Sequence, residues 1–370
     1  MNDWVYADAP SNIALIKYMG KTGESGNAPA NSSLSFTLDH LRSRVRLKFE
    51  RGLPGGKIWK PLIESGVFTP TLSESGQARF LNHAERCLSR LRGSRTDINA
   101  HLISQTLVVE SANGFPSDCG LASSASSFAA LTLACASLVG FASNTAGGRK
   151  ILADLSREGS GSSCRSLFSP WALWVSSGAE PIVGFPLAKN IRHLAIVVDE
   201  NKKSVSSSDA HRRVTSSMLF RGRAERAEER LSQVIENLRR SAVGPFDSES
   251  VRAWNRAARI VWAESWDMHA LFETSDPPFG YFVPGSVYAL NCIRDITNEI
   301  HLAVGDDKFR QPIVTMDAGP NVHVLLWTAP GPGGFRDELA DAFVANLRAR
   351  LGSSIQVIDS KADVTITGAS

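Results

Sequence analysis

The chain has 370 residues, 43% hydrophobic and 21% charged, and its 40 Lys+Arg against 37 Asp+Glu leave a formal net charge of +3. This ordinary globular composition excludes disordered chains and small disulfide-stapled scaffolds. Because the length exceeds the size at which one hydrophobic core usually stops growing, we expect two domains, 1–190 and 191–370.

The first half mixes short strands with a few helices. Alternating hydrophobic residues predict strands over 4–7, 43–50, 107–111 and 171–176. Helical spacing predicts helices over 76–91 and 121–139.

The second half opens with a predicted strand, 193–199, and then becomes mainly helical. Ala224, Ala227, Leu231, Val234 and Leu238 recur three and four residues apart, which is typical of a helix that packs on a core. The pattern then predicts, in this order, a helix over 248–271, strands over 313–316 and 322–327, a helix over 335–351 and a strand over 355–358. This order predicts an α+β fold rather than a repeating βα alternation.

A row of four cations lies on the second predicted strand. Arg42, Arg44, Arg46 and Lys48 alternate with residues of the opposite face, which is the period of a half-buried strand with its charges in solvent. A face that steers anions is the alternative. The row lacks interleaved aromatic residues and the net charge is small, so we expect no nucleic-acid partner.

The sequence also predicts compartment and metal content. No run approaches the ~18 apolar residues of a membrane helix, and the N-terminus carries acidic residues where a signal peptide would be basic and then apolar. Five cysteines form no CxxC pair. We therefore expect a cytoplasmic protein with reduced thiols, no membrane partner and no bound structural metal.

The segment 111–140 joins a strand to a long helix of small residues through a Gly/Ser-rich turn. Free N–H groups at the helix start and the hydroxyls of Ser123, Ser124 and Ser126 would converge on a phosphate. The segment has no GxxxxGK[ST] pattern. Close packing of small residues is an equally good interpretation of this segment alone.

A second Ser/Gly loop, 159–166, carries Arg165 between neutral donors. The Arg165 guanidinium could bind a carboxylate or phosphate through two nitrogens, with Ser160 and Ser162 beside it. A surface turn with a solvated arginine is the alternative.

Two further segments carry charged residues. The segment 9–21 places Lys17, Tyr18 and Lys21 after an apolar run. The segment 315–326 places Asp317 at a strand end, directly before a Gly-Pro turn that would project its carboxylate. An ordinary turn is the alternative for Asp317. Two anion loops, clustered cations and one turn-mounted acid together indicate phosphoryl chemistry.

Six segments in this order carry a resemblance to a known family: APSNIALIKYMGK, PANSSLSFTL, FPSDCGLASSAS, GSGSSCRS, KKSVSSSDA and MDAGPN. These segments resemble those of the mevalonate diphosphate decarboxylase family of the GHMP kinase superfamily, and the resemblance spans residues 5 to about 330 of the chain. The resemblance implies an α+β, two-lobed GHMP kinase fold and a homodimer.

The resemblance also implies a reaction. The family uses ATP and Mg²⁺ to phosphorylate the 3-hydroxyl of mevalonate 5-diphosphate, and then eliminates that phosphate together with CO₂ to give isopentenyl diphosphate. By resemblance, Asp317 faces the 3-hydroxyl as base or orienting group, Lys17 lies near the reacting oxygen, and Arg165 holds the substrate carboxylate.

The remaining residues divide between substrate and nucleotide by the same resemblance. Tyr18, Lys21, Ser160 and Ser162 would bind the 5-diphosphate end, and Ser206 or Ser207 would lie over the nucleotide and substrate phosphates. The loop 116–126 would bind the ATP phosphates, with the nucleotide ligands Asn113, Gly120, Ser123, Ser124 and Ser126.

The sequence departs from the family pattern beside these positions. The family's YWGK is YMGK here, with Met19 in place of Trp, and its SST-x-GM is SSSDAH, which puts His211 where the family has Met. Phe168 to Pro170 replace an aromatic-Gly-Gly, and Asp118 and Cys119 lie in the phosphate loop. A mevalonate monophosphate decarboxylase, a mevalonate 3-kinase and a non-catalytic GHMP-fold binding protein therefore stay as alternatives.

Overall fold

The fold was analysed in a computed structural model of the chain. It describes residues 3–21, 27–52, 54–68, 71–93, 96–116, 120–201, 203–242, 247–305, 308–328 and 337–361.

The first domain is built on one six-stranded sheet. Its strands are β1 (Val5–Ile16), β2 (Ser33–Glu50), β3 (Lys57–Pro61), β4 (Thr106–Asn113), β5 (Trp171–Val175) and β6 (Gly178–Pro181). The order across the sheet is β3-β4-β2-β5-β6, with β1 also paired to β2, and only β3 and β4 run parallel.

Four helices accompany this sheet: α1 (Glu74–Leu91), α2 (Thr96–Ser104), α3 (Ser123–Leu138) and α4 (Ala146–Gly159). Helix α3 packs on β1 and β2 and is flanked by α1 and α4. Its small residues are buried on nearly every side, which allows the close approach of three neighbours. A 3-10 helix, Gly161–Leu167, follows α4.

The second domain has a four-stranded antiparallel sheet in the order β10-β7-β9-β8. The strands are β7 (Ile191–Val197), β8 (Ile313–Thr315), β9 (Val322–Trp327) and β10 (Gln356–Asp359). Its helices are α5 (Ser207–Arg213), α6 (Arg223–Ala242), α7 (Ser248–Glu273), α8 (Pro284–Val304) and α9 (Glu338–Leu351).

The two domains share a hydrophobic core. Ile13 and Phe36 from the first sheet, Leu325 from the second, and Leu231 and Trp254 from α6 and α7 belong to one buried cluster. Each domain also has a hydrophobic cluster of its own, on the face of its sheet that is opposite the shared core. The α+β class is confirmed, and the exact boundary at residues 190 and 191 stays a prediction.

The predicted helical spacing in the second half is confirmed. Ala227, Leu231, Val234 and Leu238 are buried along α6. The solvated interpretation of the cationic row is also confirmed, because its exposed or half-buried cations pair with acids: Arg42 with Asp8, Arg44 with Glu64, Arg46 with Glu110 and Lys48 with Glu50.

Two predicted strands were too short, and several observed elements were not predicted. The strands over 4–7 and 43–50 are the ends of β1 and β2, whose Pro, Asn and Ser residues hide the strand pattern. The register of β1 against β2 shifts between Pro10 and Ser11, and such an irregularity tolerates a proline. The predictions missed β3, β6, α2, α5 and α8, and the segment 335–336 lies outside the described residues.

No helix in the described part of the chain has the length and apolar character needed to cross a bilayer.

Candidate active site

A cavity of about 350 Å³ opens where the two domains meet. Its wall contains twelve residues that the sequence predicted: Lys17, Tyr18, Lys21, Gly120, Ser123, Ser124, Ser160, Ser162, Arg165, Ser206, Ser207 and Asp317. Segments that are up to 300 residues apart in the chain therefore form one site.

Asn113 and Ser126, which were predicted to bind the nucleotide, do not line this cavity. Both side chains are buried, and the Ser43 hydroxyl lies 2.5 Å from Asn113 Oδ1 and 2.6 Å from Ser126 Oγ. These two residues support the loop from beneath instead.

Lys17 and Asp317 form an ion pair across the domain boundary. Lys17 Nζ lies 2.5 Å from Asp317 Oδ1, and the lysine side chain is 2% exposed whereas the aspartate is 27% exposed toward the cavity. Lys17 follows β1, and Asp317 follows β8, which is held by antiparallel pairing with β9. The carboxylate is therefore mounted on a rigid element and aimed into the cavity.

Burial and charge act in opposite directions on this pair. Burial would raise the pKa of the Asp317 carboxyl, but the Lys17 ammonium and its hydrogen bond outweigh burial and lower that pKa. Burial lowers the pKa of Lys17, although Asp317 partly opposes this. Asp317 is thus ionised at neutral pH and able to accept a hydrogen bond from a hydroxyl.

Arg165 is held rigidly in the wall. It lies in the buried 3-10 helix and is 3% exposed, so the interpretation as a solvated surface turn was wrong. Its Nε donates to Asn12 Oδ1 at 3.3 Å and its Nη1 donates to Ser33 Oγ at 2.9 Å. Two of the three guanidinium nitrogens are already partnered, which leaves Nη2 to face an anion in the cavity.

Tyr18 lies over the start of the same 3-10 helix. Its ring packs edge-on against Trp174 with centroids 4.7 Å apart, and burial raises the pKa of its hydroxyl. A Cβ added at Gly161 would lie 2.2 Å from Tyr18 Oη, so this position requires glycine. The close approach brings the Tyr18 hydroxyl beside Ser160 and Ser162.

Lys21 contributes a cation at the open end of the site. Its Nζ donates to Asn27 Oδ1 at 2.7 Å. Burial lowers the pKa of Lys21, and the neighbouring cations Arg79 and Arg212 lower it further. A cluster of cations of this kind favours a multiply charged anion.

The loop predicted to bind phosphate, called the phosphate loop below, leads into an unusual helix start. Ala122, the residue before α3, has φ 53°, a left-handed conformation that is uncommon for alanine, and supplies no side-chain cap to the helix. Ser11 on β1 fixes the loop by donating to the Leu121 carbonyl at 2.7 Å. A helix start without a side-chain cap directs N–H groups and the positive end of the dipole into the cavity, an arrangement suited to phosphate.

Gly120 permits this loop to approach the second domain. Its φ is 96°, and an added Cβ would lie 3.0 Å from the Cα of Gly319, in the turn after Asp317. The phosphate loop and the Asp317 turn are therefore in backbone contact. Asp118 and Cys119 lie outside the described residues.

The wall also contains residues that the sequence analysis did not assign to the site, among them Arg79, Lys203, Ser208 and His211. Lys203 Nζ donates to the Ala318 carbonyl at 2.8 Å and to Ser207 Oγ at 2.9 Å, so it joins α5 to the Asp317 turn. Its position in the KKSVSSSDA motif was the available signal. Arg79 lies on a helix that carried no such motif, and Phe168 to Pro170 do not line the cavity.

The chain matches two family models. The Diphosphomevalonate decarboxylase-like N-terminal domain matches residues 9–180, and the Mevalonate 5-diphosphate decarboxylase C-terminal domain matches residues 193–333. The chain belongs to the diphosphomevalonate decarboxylase family.

Individual members of the family are similar over most of their length. A diphosphomevalonate decarboxylase of Ganoderma lucidum is 31% identical over 329 residues, which cover 85% of this chain and 76% of the relative. A crystal structure of a mevalonate diphosphate decarboxylase from Legionella pneumophila is 35% identical, with a TM-score of 0.75 over 96% of this chain and all of that chain.

A further solved structure holds ligands. It is described as MDDEF in complex with MVAPP, AMPPCP and magnesium, is 30% identical to this chain, and has a TM-score of 0.70 over 96% of this chain and 95% of that chain. The structural neighbours confirm the two-lobed GHMP kinase fold of the family.

Proposed function

We propose that this protein is an ATP-dependent diphosphomevalonate decarboxylase that converts mevalonate 5-diphosphate to isopentenyl diphosphate, CO₂, ADP and phosphate. The observation that carries the proposal is that an ionised carboxylate, a buried arginine and a helix start without a side-chain cap converge on one cavity. Family membership supports the same reaction.

Asp317 acts on the 3-hydroxyl in the first step. Its carboxylate accepts the hydroxyl hydrogen while the oxygen attacks the γ-phosphorus of ATP and ADP leaves. The alcohol is tertiary and hindered, so positioning and cationic cover supply most of the rate. The Lys17 ammonium, 2.5 Å from Asp317, keeps the carboxylate ionised and adds positive charge.

Arg165 acts on the carboxylate in the second step. The C3–O bond to phosphate breaks, the C1–C2 bond breaks to release CO₂, and its electron pair forms the C2=C3 double bond. Arg165 orients the carboxylate through Nη2, because Asn12 and Ser33 hold the rest of the guanidinium.

The two phosphate-bearing ligands enter from different parts of the wall. Tyr18, Lys21, Ser160 and Ser162 receive the 5-diphosphate, and Gly120, Ser123 and Ser124 receive the ATP phosphates. Ser206 and Ser207 lie over both. Hydroxyl and carboxylate oxygens are suitable ligands for Mg²⁺, which neutralises phosphate charge when it is bound. No cluster of His, Cys, Asp and Glu in the described residues would hold such an ion without phosphate.

The test compares substrates under identical Mg-ATP. We expect kcat/KM to be highest for mevalonate 5-diphosphate, with ADP, CO₂ and the alkenyl diphosphate released in equal amounts. A preference for the 5-monophosphate would support the monophosphate decarboxylase instead. ADP without CO₂ would support a mevalonate 3-kinase, and no turnover with any mevalonate would support a binding protein.

Two further properties stay predictions from the sequence. We propose a homodimer in the cytoplasm. Sedimentation of the purified protein and fractionation of cells that express it would test both.

A further inference from the structure

His211 occupies the cavity wall between the cations of the substrate end. It lies on α5, is 7% exposed, and stacks on the Tyr18 ring with centroids 4.3 Å apart and an interplanar angle of 29°. The Gly20 N–H donates to its Nδ1 at 3.1 Å. The ring is therefore fixed both in plane and in rotation.

This contact determines the tautomer of His211. Because Nδ1 accepts a hydrogen bond, the neutral ring carries its proton on Nε2. Burial, with Lys21 and Lys203 nearby, lowers the pKa of His211 to about 3, so the ring is neutral at physiological pH. Nε2 has no hydrogen-bond partner in the described part of the chain, and His211 lines the cavity.

The charged residues around the His211 Nε2–H determine which kind of ligand it can bind. Lys21 and Lys203 are close enough to act electrostatically on the ring, and both line the same cavity as Arg79. A neutral donor among cations completes a site for an anion with several acceptor oxygens, such as a terminal phosphate. Stacking on Tyr18 and bonding to Gly20 put His211 in the wall of the 5-diphosphate rather than that of the phosphate loop.

We propose that His211 is a specificity-determining residue whose Nε2–H donates to a terminal phosphate oxygen of the substrate's 5-diphosphate. This inference rests on the proposed function. The family pattern SST-x-GM has methionine at this position, and methionine cannot donate. His211 thus gives this chain a donor that the family pattern lacks.

A pair of amide variants separates the two ring nitrogens. His211→Asn keeps an acceptor at the Nδ1 position for Gly20 and loses the Nε2 donor, whereas His211→Gln places an N–H at the Nε2 position. We expect His211→Asn and His211→Met to raise KM for mevalonate 5-diphosphate about tenfold, the loss of one hydrogen bond to a charged group. His211→Gln should stay within about threefold of the wild type.

Three readouts discriminate this role from a structural one. KM for ATP and kcat should change less than twofold in His211→Asn, and KM for the 5-monophosphate should change less than KM for the 5-diphosphate. An unchanged KM for the 5-diphosphate in His211→Asn, or an equal rise in KM for ATP, would overturn the inference.

Binding measured without turnover keeps this inference separate from the proposed function. Calorimetric titration of mevalonate 5-diphosphate into wild-type and His211→Asn protein should show the same tenfold difference. If the wild type releases no CO₂ from any mevalonate, the proposed function fails, and the titration still decides the role of His211.

Discussion

Asp317 and Lys17 show how one buried pair sets the ionisation of a reacting group. Burial disfavours both charges, and each is maintained by the other at 2.5 Å. Removing either partner therefore changes the ionisation of the one that remains.

Asp317→Asn should lower kcat by about 10³-fold or more, the scale of losing a positioned proton acceptor and its charge. The affinity for ATP should stay within about twofold, because the close approach of the phosphate loop to this turn is a backbone contact between Gly120 and Gly319 and does not involve the carboxylate. Steady-state kinetics with a fluorescent nucleotide titration would check both. Asp39→Asn, at an exposed aspartate, is the matched control. A tenfold or smaller loss of kcat in Asp317→Asn would contradict the role of Asp317 as the proton acceptor.

Lys17→Met should move the acidic limb of the kcat/KM profile to higher pH. In the wild type the Lys17 ammonium holds the pKa of Asp317 below its usual range, so activity is lost only as pH falls through that lowered value. Without the ammonium, burial is the largest remaining influence, opposed by His323 and Arg165, so the pKa of Asp317 should rise. A pH profile of the residual activity measures the shift, and an unmoved acidic limb would exclude Lys17 as the cause.

The 3-10 helix Gly161–Leu167 is the element that sets the substrate wall. It is buried between α4 and the first sheet, and it presents Ser162 and Arg165 to the cavity while Gly161 lets Tyr18 approach. A side chain at residue 161 would push Tyr18 against Trp174 and His211, between which its ring is packed.

Gly161→Ala should therefore raise KM for the phosphorylated mevalonate by about tenfold or more, because the added Cβ would lie 2.2 Å from Tyr18 Oη. Gly147→Ala on α4 is the matched control, since nothing lies within 4 Å of its added Cβ and alanine favours the helix. Kinetics and melting temperatures of both variants would check this. Equal KM values in the two variants would rule out the close approach.

Helix α8 was not predicted, although its sequence carries a weak helical signal. Its buried residues Ser286, Ala289, Leu290, Ile293 and Ile296 have helical spacing, and Pro284 begins it. Most of its other residues are polar or β-branched, so helix propensity is diluted and packing on α9 and the second sheet decides the conformation.

The two domains are joined by a chain of three histidines. His323 Nε2 lies 3.2 Å from the Gly120 carbonyl, His193 Nε2 lies 2.9 Å from His323 Nδ1, and His40 Nε2 lies 3.0 Å from His193 Nδ1. The carbonyl can only accept, so each ring carries its proton on Nε2 and accepts at Nδ1 where the next ring follows. This row of histidines runs from the Gly120 carbonyl through the second sheet to the middle of β2.

Burial first, and neighbouring histidines second, lower the pKa of His40 to about 4, and burial lowers that of His323 to about 4. An unfolded chain binds these protons near pH 6.5, so the unfolded state binds more protons between pH 6.5 and about 4. The free energy of unfolding should therefore fall as pH falls through this window.

His40→Gln removes one titrating ring and keeps a donor for His193, so it should reduce the proton uptake on unfolding near pH 5 by about one. Urea unfolding at a series of pH values measures this slope. If the free energy of unfolding depended on pH in the same way in the wild type and in His40→Gln, the hydrogen-bonded row of three histidines would be contradicted.

The sequence was sufficient for features that depend on near neighbours. The alternation of residues 43–50 and the spacing of α6 are local patterns, and they predicted a solvated strand and a core helix. The Gly/Ser-rich turn before α3 is also a local pattern, and the anion loop that it indicated stays a prediction. The roles of the other site residues were predicted only from the resemblance of their motifs to the family. Nothing in the residues alone placed Asp317 opposite Lys17, because the two are 300 positions apart.

Long-range packing decided the other features. Ser126 and Asn113 belong to the hydroxyl-rich loop by sequence, yet the close fit of α3 on β2 turns both into the interior against Ser43. His211 faces the cavity only because α5 packs on the Tyr18 ring and the Gly20 amide. Such positions depend on which surfaces of distant segments fit together, and neither periodicity nor residue type along one segment contains that information.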